Sequence, residues 1–229
     1  MAYTTIDDPT IYFETLLWTG NGNTPRTFTG LDFAPNMTWS KRRDDAAGHN
    51  LLDTVRGAGV DSELCPSTNG IEGSNNANTY GYLSAFTSDG FTVTAGSGDN
   101  AYWNNNTATY VAWNWKAGTS FSNDTSSTSI GSIDSAGSVN TDAGFSIISY
   151  AGTGSAATVA HGLGVAPAWI LLKDRDSASH DWFNYHQSLG NGKYMRTNSD
   201  DGVATASTIW NDTSPTTSVF SIGTNEKFP

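Results

Sequence analysis

The sequence predicts an all-β protein: two tandem antiparallel β-sandwich repeats of the jelly-roll kind, the second lacking its last strand. Three observations predict this. Turn formers are abundant, with 24 Gly and many Asn, Ser and Thr against only 14% charged residues, a balance that disfavours long helices. The chain resembles itself at a fixed spacing, which is the mark of a repeat. Short β-prone runs alternate with Gly, Asn, Asp and Pro, and no window carries a convincing 3.6-residue period.

The repeat opens at Trp18-Thr-Gly20-Asn-Gly22, which aligns with Tyr150-Ala-Gly152-Thr-Gly154 at an offset of 132 residues. The offset continues without a gap. Gly30-Leu31-Asp-Phe33-Ala34-Pro35 falls on Gly162-Leu163-Gly-Val165-Ala166-Pro167, and Lys41-Arg-Arg43-Asp44 falls on Lys173-Asp-Arg175-Asp176. With small gaps, Thr54-Val55-Arg-Gly57 meets Ser188-Leu189-Gly190, and Gly90-Phe91-Thr-Val93 meets Val219-Phe220-Ser-Ile222. These matches divide the chain into a first repeat over residues 1–118, a linker over 119–143 and a second repeat over 144–229.

The first repeat closes on Tyr110-Val-Ala-Trp113-Asn-Trp115-Lys116. Tyr110 and Ala112 lie on one face and Val111 and Trp113 on the other, so the run reads as a strand buried on both sides. Its counterpart belongs about ten residues past Phe228 at the repeat spacing, whereas the sequence ends at Pro229. Three explanations stand: a sequence that stops early, which is favoured, natural loss of the strand, or a strand added by a neighbouring subunit.

Within the second repeat the β-prone runs are Phe145-Ser-Ile147-Ile148-Ser-Tyr150, Ala168-Trp169-Ile-Leu-Leu172-Lys173, Trp182-Phe183-Asn-Tyr185, Lys193-Tyr-Met195-Arg and Val219-Phe-Ser-Ile222. Turn formers such as Gly190-Asn-Gly192 separate them. Helices are expected to be short and confined to connections such as Asp53 to Gly57. The segment between the repeats is rich in Ser, Thr, Gly and Asp and reads as a linker, although Ile130, Ile133 and Val139 leave a short strand or hairpin open.

A net charge of −11 repels phosphate backbones and anionic headgroups, which argues against nucleic acid as a partner. The single Cys65 excludes an intrachain disulfide and a cysteine metal cluster. The longest apolar run, around Val165 to Leu172, is too short to span a bilayer. The start carries neither basic residues nor an apolar stretch, so no secretory signal is expected and synthesis is expected in a cytoplasm.

Catalytic signatures are sparse. No Gly-x-Ser-x-Gly elbow, His-Glu-x-x-His helix or Walker loop occurs, so neither an enzyme nor a cofactor is expected. Gly20-Asn-Gly22 and Gly152-Thr-Gly154 recur at equivalent places, which favours turn geometry over phosphate binding. His180 and His186 flank Asp181 and Trp182 and lie near Asp174 and Asp176, the residue types of a metal or general-acid cluster, but no such cluster is expected here. Trp103, Trp182 and Trp210 adjoin polar loop residues and are the candidate surface-recognition residues, because exposed indoles stack on sugar rings and anchor interfaces. Core packing is the competing role for each.

The phrases Met1-Ala-Tyr-Thr-Thr-Ile-Asp-Asp-Pro9, Tyr110-Val-Ala-Trp-Asn-Trp-Lys116, Gly137-Ser-Val-Asn-Thr-Asp-Ala-Gly-Phe145 and His161-Gly-Leu-Gly-Val-Ala-Pro167 carry a family resemblance. Together they resemble tandem concanavalin-A-like sandwich repeats in virion structural proteins of marine bacteriophages, especially those infecting cyanobacteria. The resemblance covers essentially the whole chain and brings no catalytic or ligand residues. It implies a virion exterior component made in the host bacterial cytoplasm: a tail fibre, tail appendage or adaptor module that contributes to host-surface attachment. The alternatives are a capsid decoration protein and a carbohydrate-binding, lectin-like module. Implied partners are other virion proteins, further copies in a trimer or ring, and a host glycan or protein, without membrane insertion. The missing last strand is the departure from the family pattern.

Overall fold

The computed structural model describes residues 8–224. The opening phrase before Asp8 and the end around Phe228 and Pro229 lie outside the described residues. The chain divides into two compact units, Met1–Gly118 and Thr119–Pro229, and each is all-β. Helix is confined to single turns, among them α1 (Ala77–Tyr80) and α2 (Thr125–Thr128). The connection from Asp53 to Gly57 is a tight turn closed by Gly57 N–H donating to Asp53 O at 2.9 Å, not a helix.

The first unit stacks two antiparallel sheets. Strands β1 (Phe13–Thr19), β2 (Arg26–Phe28), β3 (Met37–Arg42), β4 (His49–Asp53), β5 (Tyr82–Thr87), β6 (Gly90–Thr94) and β7 (Thr109–Trp115) form one sheet in the order β1-β7-β3-β4 and another in the order β2-β6-β5. The residues at the sequence break between repeats thus form the strand at the centre of the larger sheet. Alternation assigns the faces. Leu16, Trp18, Tyr110, Ala112 and Leu52 point into the core, where they meet Phe28, Phe91, Val93 and Leu83 of the smaller sheet. Each fully buried large side chain contributes roughly 1.5–3 kcal/mol.

The long β6–β7 connection is pinned from within. Trp103 is fully buried in it, Trp18 Nε1–H donates to Trp103 O at 2.9 Å, and Tyr110 stacks on Trp18 at 5.2 Å. The Tyr110 hydroxyl donates to Ala101 O at 2.8 Å and accepts the Asn105 N–H at 3.0 Å. At the other end of the sandwich, Arg56 spans Asp53, Glu72 and the Ser62 carbonyl at 2.6–2.7 Å and holds the following loop.

The second unit contains β8 (Thr119–Asn123), β9 (Ser135–Asn140), β10 (Phe145–Tyr150), β11 (Ala157–Ala160), β12 (Trp169–Leu172), β13 (Phe183–His186), β14 (Lys193–Arg196), β15 (Ala204–Thr205) and β16 (Val219–Ile222). Their orders are β10-β9-β8, β11-β16 and β12-β13-β14-β15. Strand pairings have parallels here: β12 pairs antiparallel with β13 as β3 does with β4, and β11 with β16 as β2 does with β6. The core gathers Val159, Leu172, Phe183, Tyr185, Ile209, Trp210, Phe220 and Ile222. Equivalent glycines make equivalent turns: Gly22 and Gly154 hold φ of 72° and 70°, a left-handed conformation that favours glycine.

The 119–143 linker is a correction. These residues form β8, α2 and β9, and they belong to the second unit. Ile133 bridges to Val159, the Ser135 hydroxyl donates to Ala160 O at 3.0 Å, and Val139 is buried. Ser and Thr pair here with backbone groups through Asp124, which caps α2 by accepting the Ser126 N–H at 2.9 Å. That use of polar residues makes a folded segment look like a connector.

Candidate recognition surface

The register of the larger sheet in the first unit places every odd-numbered residue of β1, β3, β4 and β7 on the face away from the core. Three cross-strand rows result: Phe13, Trp115 and Met37; Thr15, Trp113, Trp39 and Leu51; Leu17, Val111, Lys41 and His49. Together the first two rows place four aromatic rings on three adjacent strands, Phe13 on β1, Trp113 and Trp115 on β7, and Trp39 on β3. Phe13 lies 5.0 Å from Trp115 and Trp39 lies 6.2 Å from Trp113, edge to face at 78°. Trp39, Trp113 and Trp115 are half-buried, Phe13 is exposed, and Leu17 stands 59% exposed beside them. Isolated exposed apolar residues are ordinary, and this grouping of aromatic rings on one face is the candidate contact surface.

The row is held in place by a hydrogen bond. Trp39 Nε1–H donates to His49 Nδ1 at 2.9 Å, which fixes His49 as the neutral tautomer with its proton on Nε2. Burial, reinforced by the charge of Lys41, holds the His49 pKa below its usual value. The bond is therefore stable through neutral pH, and its contribution is lost as pH falls below the ordinary imidazole range. In the second unit Trp169 is 54% exposed on the corresponding face, and its Nε1–H donates to Asn184 Oδ1 at 2.9 Å.

The three tryptophans singled out in the sequence lie elsewhere. Trp103 is 0%, Trp182 3% and Trp210 1% exposed, so none offers a ring to a ligand, and their role as surface-recognition residues is corrected to core packing. Polar neighbours misled because Trp103 and Trp210 sit in loops that fold back under the sheets. The histidine grouping also separates. His180 Nδ1 pairs with Asp174 Oδ2 at 2.7 Å, whereas His186 Nδ1 accepts the Ser188 N–H at 3.2 Å. Burial raises the Asp174 pKa, but backbone N–H donors from Asp176 and Ser177 and the His180 contact outweigh it and leave the carboxyl low. Among the described residues no group of three or more His, Cys, Asp or Glu side chains is placed to hold a metal ion, and no helix is long and apolar enough to cross a membrane.

Sequence reading also missed Glu63. It is fully buried behind the sheet edge, where Asn75 Nδ2 donates to Glu63 Oε1 at 2.7 Å and to Asn50 Oδ1 at 3.1 Å. Burial pushes its carboxyl up to about 8, against the lowering effect of the Asn75 bond. Its Oε2 has no hydrogen-bond partner among the described residues. A buried carboxyl of this kind costs stability where its polar atoms lack hydrogen-bond partners.

One family model matches, over residues 8–228, and is described as a domain of unknown function, DUF7483. Comparison with curated proteins and with solved structures gives no match.

Proposed function

We propose a non-enzymatic recognition and assembly role for this chain, which belongs to the DUF7483 family: a structural module of a bacteriophage virion exterior, in a tail fibre, tail appendage or adaptor that contributes to host-surface attachment. The aromatic patch on β1, β7 and β3 carries the reading. It offers apolar area at low conformational cost, since the indoles are already braced by one another and by His49. The phage setting rests on the resemblance of the sequence phrases. The low proportion of charge, the acidic surface and the absence of a disulfide suit a module that works outside a cell after assembly in a cytoplasm. The same row also favours a carbohydrate-binding module, because sugar rings stack on such faces.

The test compares the wild-type chain with Leu17→Glu and Trp113→Ala in binding to intact host cells and to arrayed envelope glycans. Both variants are expected to lose about tenfold or more in affinity, as a contact anchored by indoles would. Unchanged binding by both, or no binding by the wild type to any host material, defeats the reading. Antibody against the chain is expected to label intact particles, and label confined to unassembled protein defeats the virion assignment.

A further inference from the structure

We infer that the outer face of the β1-β7-β3-β4 sheet takes a carboxylated glycan, whose sugar rings lie on the aromatic side chains and whose carboxylate is received by Lys41 and His49. The inference rests on the recognition role proposed for this face and names its ligand class. Stacking on aromatic rings suits neutral and acidic sugars alike. The polar groups among the rings decide between the two.

The outward positions of the four strands carry donors and few acceptors. Lys41 supplies an ammonium, Trp113 an indole N–H, and His49 an Nε2–H, because its Nδ1 accepts from Trp39 at 2.9 Å. Asp53 is the carboxyl among these positions, and it is spent. It is 3% exposed, holds Arg56 Nε at 2.7 Å and accepts the N–H groups of Val55 and Arg56 at 3.0 Å. Thr15, Thr19 and Thr109 bring hydroxyls, which serve either way, and no outward position holds Asn, Gln or Glu. A neutral sugar presents hydroxyl protons that need acceptors once water is displaced, and this face leaves most of them unpaired at a cost. A carboxylate only accepts, and so matches the donors.

The placement of the donors fits one carboxylate. Lys41 and His49 stand directly opposite each other in the β3–β4 register, with Cβ atoms roughly 5 Å apart, so each can serve one carboxylate oxygen. Lys41 Nζ also donates to Ala47 O at 3.4 Å, which engages one of its three protons and steadies the ammonium. Trp39 lies two residues before Lys41 on the same face, about 7 Å along the strand, a step that one sugar ring spans with its carboxylate. Phe13 and Trp115 lie one row further on for a following ring. Local charge agrees. The chain carries −11, yet this face holds an ammonium and a carboxyl neutralised by Arg56. Just past Lys41, Arg42 draws in Asp44 and Asp45 at 2.9 and 3.6 Å, and Arg43 stands exposed.

The test titrates the full chain with tetrasaccharides of galacturonate, glucuronate and mannuronate, each beside its methyl ester, and with poly-glutamate. Calorimetry gives the affinities, and the indole N–H resonances locate the contact. At least one uronate is expected to bind saturably, with its ester about tenfold weaker or more, and to shift the Trp39 and Trp113 resonances. Lys41→Gln is expected to bring the uronate down to the level of the ester, whose retained binding shows the face still folded. Trp113→Ala is expected to weaken both by about tenfold, and Lys193→Gln, on the second unit, to change neither. Equal binding of uronate and ester, both lost in Trp113→Ala, overturns the acidic ligand while the recognition role stands. Poly-glutamate bound as tightly as the uronate overturns the glycan, and uronate binding unmoved by Trp113→Ala overturns the face. No uronate bound overturns the proposal, and the recognition role is then judged by the binding to intact cells.

Discussion

Glu63 sets the pH response of the first unit. Its folded pKa of about 8 stands above the ordinary 4.5, so the folded form holds a proton that the unfolded form releases. The contribution of Glu63 to stability is therefore full below pH 4.5 and falls as pH rises toward 8, by about 1 kcal/mol per pH unit at most. Glu63→Gln keeps the shape and removes the ionisation. Thermal unfolding at pH 5, 6.5 and 8 is expected to show the variant gaining on the wild type as pH rises, with the largest advantage at pH 8. A wild-type melting temperature that is flat across this range refutes the assignment. The acidic composition gives no hint of Glu63, since a lone Glu in Asp-Ser-Glu63-Leu-Cys65 reads as a loop charge. Only the fold of the loop over β4 buries it.

At the level of elements, the structure moves a boundary. A protein begun at residue 144, the start that composition suggests, lacks β8 and β9 and exposes the edge of β10 and the apolar contacts of Ile133 and Val139. Residues 119–229 are expected to express as a soluble unit with dispersed amide resonances. Residues 144–229 are expected to aggregate or to lose near-UV dichroism, and equal behaviour of the two would contradict the structure. The pattern of a short β-prone run between strong turn formers made β10, β14 and β16 legible to the residue. It failed for β8 and β9, where Ser-Ala-Gly-Ser-Val-Asn and Thr-Ser-Phe-Ser-Asn pack small side chains and leave no apolar stripe. Gly137 shows why small residues are needed there: a Cβ would collide with the Ile147 carbonyl. The candidate recognition surface was half legible. The β7 run was identified and its two faces separated, but which face met the core depended on Trp18 and Phe91 across the sandwich, and no spacing rule reports that.

For the molecule as a whole, two cores mean two separable units of stability. Trp103 belongs to the first core and Trp210 to the second. Replacing either with Ala removes a buried indole, and changes of this kind cost about 3–5 kcal/mol. Calorimetry is expected to resolve two transitions, with Trp103→Ala lowering one and Trp210→Ala the other. A single transition shifted equally by both would show one cooperative block. The contact between Trp39 and Trp113 has a further use. Two indoles held close and almost perpendicular couple their electronic transitions, so the protein carries a built-in optical reporter on its outer face. Anything that settles on that face perturbs the coupling, and circular dichroism can then follow the encounter on unlabelled protein.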